Sequence, residues 1–194
     1  MERANGLNMD SLYIVERLLT DNPLHIKRLR YVYSISEQII KKLDWQDISN
    51  ISVPAILLCG TGSPTTTLEY TNHIKGYNSD AQIAVLDLSA CRLDRSKKKL
   101  AQGSSIGHVQ ADTINLPFKN NSFDRIETDR LLQFFSTDEK RQVIAEWKRV
   151  LKKGGILRLA VPDFEALIKV YKESKDLDKI MGPLYGRWEI SDGG

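Results

Sequence analysis

The sequence predicts an α/β fold: a doubly wound, mostly parallel sheet with helices on both faces. Three observations carry that expectation. From residue 55 onward, short apolar runs alternate with amphipathic segments, the pattern of parallel strands covered on both sides. A glycine turn, Cys59-Gly60-Thr61-Gly62, directly follows the first run, Ala55-Ile56-Leu57-Leu58. Asp87, Asp112 and Asp129 then stand at the ends of three later strands, and the carboxyl ends of strands are where open α/β sheets hold their ligands.

Taken in order, residues 9–21 and 23–43 read as helices, split at Asn22-Pro23 because proline cannot continue a helix. Leu29, Val32, Ile35, Ile39, Ile40 and Leu43 recur at helical spacing on one face of the second. The stretch from Asp47 to Val53 is polar and turn-prone, and Pro54 opens the first strand. Residues 1–52 are therefore expected to form a helical N-terminal extension, a lid or cap, ahead of a core over 53–163. Strand 55–59 and the glycine turn lead to Ser63 and Pro64, an N-cap and first helical position, and that helix runs to about Ile74. Strand 83–87 precedes a helix over 90–101. A short strand at 107–110, a loop, and a strand over 123–128 follow. Ser136 with Glu139 forms a capping box for the next helix, with Val143, Ile144, Trp147, Val150 and Leu151 as its buried stripe and Gly154-Gly155 ending it. Strand 156–161 leads to a last helix with Phe164, Leu167, Ile168 and Tyr171 inward. Residues 180–186 read as a loop or short helix.

Composition narrows the class. The chain has 194 residues, 41% hydrophobic and 27% charged, which excludes collagen-like, disordered and disulfide-scaffold proteins. No apolar run approaches the ~20 residues that span a bilayer, and the first residues lack a signal-peptide core, so a cytoplasmic protein is expected. Cys59 and Cys91 match no metal-ligand spacing, and no metal site is expected. Cys59 reads as a small buried side chain or, alternatively, a reactive thiol. The net charge of +3 includes basic clusters at 27–30 and 97–99, read as solvated helix faces rather than a nucleic-acid groove.

Gly60, Gly62 and the acid Asp87, ~20 residues on, suit an adenosine-containing cofactor. In an NAD site a third glycine would stand where this chain has Thr65. Five motifs in order add a family resemblance. They are 56–62, Val85-Leu86-Asp87-Leu88-Ser89, the run 110–118 from Gln110 through Asp112 to Phe118, Ser122-Phe123-Asp124-Arg125-Ile126, and 149–157 from Arg149 through Gly154-Gly155. Together they resemble class I S-adenosylmethionine-dependent methyltransferases, in the small-molecule branch around ubiquinone-type and sugar-modifying enzymes.

The resemblance implies a Rossmann-like sheet of order 3-2-1-4-5, S-adenosyl-L-methionine as cofactor, and methyl transfer to a small-molecule acceptor; a non-catalytic methyltransferase-like module is the alternative. It implies cofactor contacts from Gly60, Thr61 and Gly62, from Asp87 at the ribose, from Leu88 beside it, from Asp112, Thr113 and Ile114 at the adenine, and from Asp129, beside Arg130, at the methionine end. Structural alternatives are that Asp112 caps its turn and Asp129 caps a helix. No general base is assigned: His25, His73 and His108 lie away from the motifs, and Gln133 and Phe134 stand where relatives often carry a histidine. Tyr31 and Tyr33 either cover the cofactor or pack. The chain also departs from the family pattern, with Ile56 and Leu58 in place of an acid and a glycine. The family's last two strands are not recognisable here, and residues 164–194 read as a helix and loop. Strand 156–161 is then an edge that invites a second copy to pair in a homodimer.

Overall fold

A computed structural model of the chain describes residues 40–60, 64–100, 106–129 and 131–185. The two N-terminal helices lie outside the described residues except for 40–43, and so do Thr61, Gly62, Ser63 and Arg130. The elements are α1 (Gln46–Ser49), β1 (Ala55–Cys59), α2 (Pro64–Tyr77), β2 (Gln82–Asp87), α3 (Ala90–Leu100), β3 (Ile106–Gln110) and β4 (Phe123–Asp129). A 3-10 turn (Leu132–Phe134), α4 (Thr137–Val150), β5 (Leu151–Ala160), α5 (Phe164–Ser174) and α6 (Asp178–Tyr185) complete them. The five strands form one sheet in the order β3-β2-β1-β4-β5, and every pairing is parallel. This is the expected fold and strand order.

The period-2 geometry of a strand explains why the central runs are apolar throughout. In β1, Ile56 and Leu58 join Tyr70 and Ile74 of α2, Ile83 and Val85 of β2 and Leu93 of α3 in one buried cluster. Leu57 and Cys59 point the other way, joining Leu86, Ile126 and the α4 residues Val143, Trp147 and Val150. Each face therefore has its own core.

The start of α4 follows its sequence signature. Ser136 Oγ accepts from the Glu139 N–H at 3.3 Å, and Glu139 Oε2 accepts from the Ser136 N–H at 2.9 Å, closing the capping box.

Three details differ from the sequence reading, and a fourth settles between its alternatives. The segment 47–53 is not all turn: α1 begins it, with Ile48 fully buried. One apolar residue in a single turn leaves no periodicity to read, and Asn78 Nδ2 fixes the segment from outside by donating to the Ile48 and Ile51 carbonyls. The pair Gly154-Gly155 does not end α4. That helix stops at Val150, and the glycines lie inside β5, where the register jumps from Phe123↔Leu151 to Arg125↔Ile156. Gly154 has φ +81°, and a Cβ on Gly155 would stand 2.8 Å from the Asp124 carbonyl oxygen. A bulge and a helix cap both call for left-handed backbone, so the glycine signal alone does not separate them. Ile144 is exposed rather than buried, as are Phe164 and Tyr171, while Leu167 and Ile168 are half-buried. Finally, residues 178–185 form the helix α6, the short-helix alternative for that segment.

A buried polar network crosses the sheet on the α2 face. Glu127, fully buried, accepts from Arg125 Nε and from Arg158 Nη1, each at 2.7 Å. Arg125 also pairs with Asp47, donates to the Asp44 carbonyl, and lies 3.9 Å under the Trp45 ring. Arg158 reaches the Tyr70 hydroxyl. Burial pushes the Glu127 carboxyl above its ordinary range, against the pull of Arg125 and Arg158. The network ties β4 and β5 to the 44–47 segment and to α2.

Candidate cofactor site

Because all five strands run the same way, their carboxyl ends share one edge of the sheet. Gly60 follows β1 with φ +59°, a conformation that favours glycine, and a Cβ there would meet Leu131 Cδ1 at 2.9 Å. Its N–H donates to the Leu86 carbonyl at 2.9 Å, so the start of the glycine turn is bound to the end of β2. Asp87 ends β2 half-buried, and its Oδ1 accepts from the Ser89 N–H at 2.9 Å. Leu88, beside it, is 46% exposed. Its carbonyl accepts from Gln110 Nε2 at 3.2 Å, and the Ala111 N–H donates to the Asp87 carbonyl at 3.3 Å.

The next residues fold back on themselves. Asp112 Oδ1 accepts from the Ile114 N–H, and its carbonyl accepts from Asn115 N–H, both at 3.0 Å. Thr113 is buried, whereas Asp112 and Ile114 are half-buried. Asp129 closes β4, next to Thr128. The structure thus brings Gly60, Asp87, Leu88, Asp112, Thr113, Ile114 and Asp129 to the ends of four neighbouring strands. Thr61, Gly62 and Arg130 lie outside the described residues.

Two polar atoms at the end of β4 are buried without a hydrogen-bond partner among the described residues, Thr128 Oγ1 and Gln133 Oε1. Gln133 stands on the 3-10 turn after Asp129. Cys59 lies beneath this edge, fully buried; burial pushes its thiol up to about 12, with a Trp147 contact lowering it and Asp87 raising it. That favours the inert reading of Cys59. His108 is on β3, where burial lowers its pKa, and His73 stacks edge-on with Tyr77. Neither sits at the carboxyl edge. Among the described residues no group of three His, Cys, Asp or Glu could hold a metal, and no helix is long and apolar enough to cross a membrane.

Sequence reasoning missed one feature of this region. Glu146 and Arg149 on α4 bond to the backbone of the loop that follows Asp112. Their spacing of three on a helix was legible as an ion pair, but its target in another loop was not.

Known proteins resemble this chain in sequence and in fold. A model of the methyltransferase domain family matches residues 57–159, just over half of the chain. The demethylmenaquinone methyltransferase of Staphylococcus aureus (strain MRSA252) is 28% identical over 130 residues, covering 66% of this chain and 51% of its own. The chain thus spans about half the length of the curated relatives it matches. A Pyrococcus horikoshii protein, PH0226, superposes with a TM-score of 0.57 at 20% identity, over 70% of this chain and 62% of its own. A Methanococcus maripaludis protein provisionally assigned as an S-adenosyl-L-methionine-dependent methyltransferase gives 0.52 at 21%, over 75% and 64%. These likenesses carry the fold. The family match runs from Leu57 in β1 to Leu159 in β5 and so takes in the loops that follow β1, β2, β3 and β4; the chain belongs to the methyltransferase domain family.

Proposed function

We propose that this chain binds S-adenosyl-L-methionine at the carboxyl edge of the sheet and directs its methyl group to a small-molecule acceptor. The observation that carries the reading is the tie between three strand ends: Gly60 N–H to Leu86 O, and Ala111 N–H to Asp87 O. These bonds bring a glycine turn, a ribose-type acid and the Asp112 turn side by side within the span of the family match. The residues suit the cofactor. The left-handed Gly60 keeps side-chain bulk off the turn, and the Asp87 carboxylate is an acceptor suited to vicinal hydroxyls. Leu88 offers exposed apolar surface for a flat base, and the Asp129 carboxyl group is a hydrogen-bond acceptor for the ammonium group of the methionine end. Thr61 and Gly62, next in the chain, belong to the proposed cofactor contacts.

S-adenosylmethionine, when bound, supplies an activated methyl on a sulfonium. The chain's part is then alignment of the two reactants and exclusion of water. Gly60, Asp87, Asp112 and Asp129 would hold the cofactor so that its methyl could pass to an acceptor nucleophile, with the thioether as leaving group and the acceptor giving up any proton it carries. The curated relative's name points to a quinone-type ring as the first acceptor class to test. We place the protein in the cytoplasm. We also place a second copy against β5, because its outer edge has no neighbouring strand among the described residues and Ile156, Leu159 and Val161 are exposed there.

Calorimetry tests the binding half. The wild type binds S-adenosylmethionine, and Asp87→Ala weakens binding by ~1–3 kcal/mol through loss of charged hydrogen bonds. No binding at millimolar cofactor would reject the reading, and unchanged affinity in the variant would remove Asp87 from the site. Transfer of a labelled methyl to a demethylated quinone tests the other half. Tight binding with no transfer to any small acceptor favours the non-catalytic module.

A further inference from the structure

The connection between β3 and β4 contains no helix or strand, yet its backbone is held from outside. Glu146 Oε2 accepts from the Leu116 N–H at 2.9 Å. Arg149 donates through Nη2 to the Leu116 carbonyl at 3.0 Å, and through Nη1 to the Phe118 carbonyl at 2.8 Å and Asn120 Oδ1 at 2.9 Å. The two side chains are also joined to each other, Nε to Oε1 at 2.7 Å and Nη2 to Oε2 at 2.8 Å. One ion pair on α4 therefore takes both backbone polar groups of Leu116, a residue that is itself buried.

On its other side the loop is anchored by the Ala111 N–H on the Asp87 carbonyl. The Asp112 turn thus lies between two fixed points, one on β2 and one on α4. We propose that Glu146 and Arg149 are positioning residues that hold the 112–115 turn in the geometry that selects adenine over other purine bases. The proposal rests on the reading that Asp112 receives the base. The planar guanidinium is suited to this role because a single fork reaches Glu146 and two carbonyls at once, which the point charge of a lysine cannot do. A turn fixed before the ligand arrives discriminates between one hydrogen-bonding pattern and another, and a loose turn adapts to both.

The test compares S-adenosylhomocysteine with S-inosylhomocysteine, whose base carries an oxygen in place of the 6-amino group. The wild type prefers the adenosyl ligand by about tenfold or more. Arg149→Lys and Arg149→Gln reduce that ratio to about twofold, whereas Asp87→Ala weakens both ligands and preserves it. A loss of stability alone lowers both affinities together and leaves the ratio unmoved. Should the arginine variants not fold, Glu146→Gln keeps the side-chain volume while placing an amide donor against the guanidinium. It gives the same fall in ratio, together with amide exchange over 111–118 at least tenfold faster than in the wild type and unchanged exchange in β1 and β4. A variant that folds and keeps the wild-type ratio overturns the proposal while leaving the cofactor reading intact. A wild type that binds both ligands alike overturns the assignment of the base to Asp112, and the proposal with it.

Discussion

Cys59 shows how a residue inside a functional motif can serve packing. It occupies the last position of β1, between the apolar run and Gly60, and it is fully buried. Its thiol, pushed up to about 12 by burial, carries almost no thiolate at neutral pH, and thiolate is the reactive form. Cys91, at the first turn of α3, is half-exposed. A native titration with an aromatic disulfide reagent at pH 8 is therefore expected to release one equivalent quickly, from Cys91, and the second only on unfolding. Two thiols reacting at equal rates in the folded protein would contradict the burial of Cys59. At this scale much of the candidate site was legible. Gly60, Asp87 and Asp112 could be named from sequence because each stands at or just past the end of a strand, and a parallel sheet sends such positions to one edge.

Among the elements, β5 departs most from its sequence pattern. Its two glycines look like a helix terminator, yet the chain is already extended at Leu151 and the glycines form the bulge. Gly155 is there for space, because its α-carbon faces the Asp124 carbonyl across the strand pair. Asp124 holds more than this contact: its Oδ2 accepts from the Ala55 N–H at 2.8 Å and pairs with Lys152 at 2.8 Å. Gly155→Ala therefore moves backbone that joins β1, β4 and β5. It is expected to lower stability by ~1–3 kcal/mol, the range for steric overpacking, measured by urea denaturation. A change below about 0.5 kcal/mol, the range of surface substitutions, would show that the strand accommodates the methyl. Sequence could not foresee the bulge, since it depends on which residue of β4 lies opposite.

At the scale of the whole molecule, the two faces of the sheet are closed by different means. On the α4 side the core is apolar, while on the α2 side the Arg125–Glu127–Arg158 network shares the interface with apolar packing. Removing one partner of such a network leaves buried charge behind. The outer edge of β5 is the other molecular feature. With Leu159 38% and Val161 61% exposed beside Phe164, the proposed pairing of two copies predicts a dimer by light scattering at micromolar concentration. Leu159→Lys is expected to shift it to monomer without lowering the melting temperature, since charge on an edge discourages pairing. A monomeric wild type at hundreds of micromolar would reject that pairing.

The strand order came from the family resemblance; the sequence by itself determined the α/β class and the strand ends where the candidate site residues stand. Those properties follow from local periodicity and from the parallel direction that strand–helix alternation imposes. Only the tertiary structure decided which residues stabilise those ends. The hold of Glu146 and Arg149 on Leu116, the pairing of Arg125 with Asp47, and the approach of Leu131 to Gly60 all join residues distant in the chain. Their partners are chosen by helix placement and strand register, which no local pattern encodes.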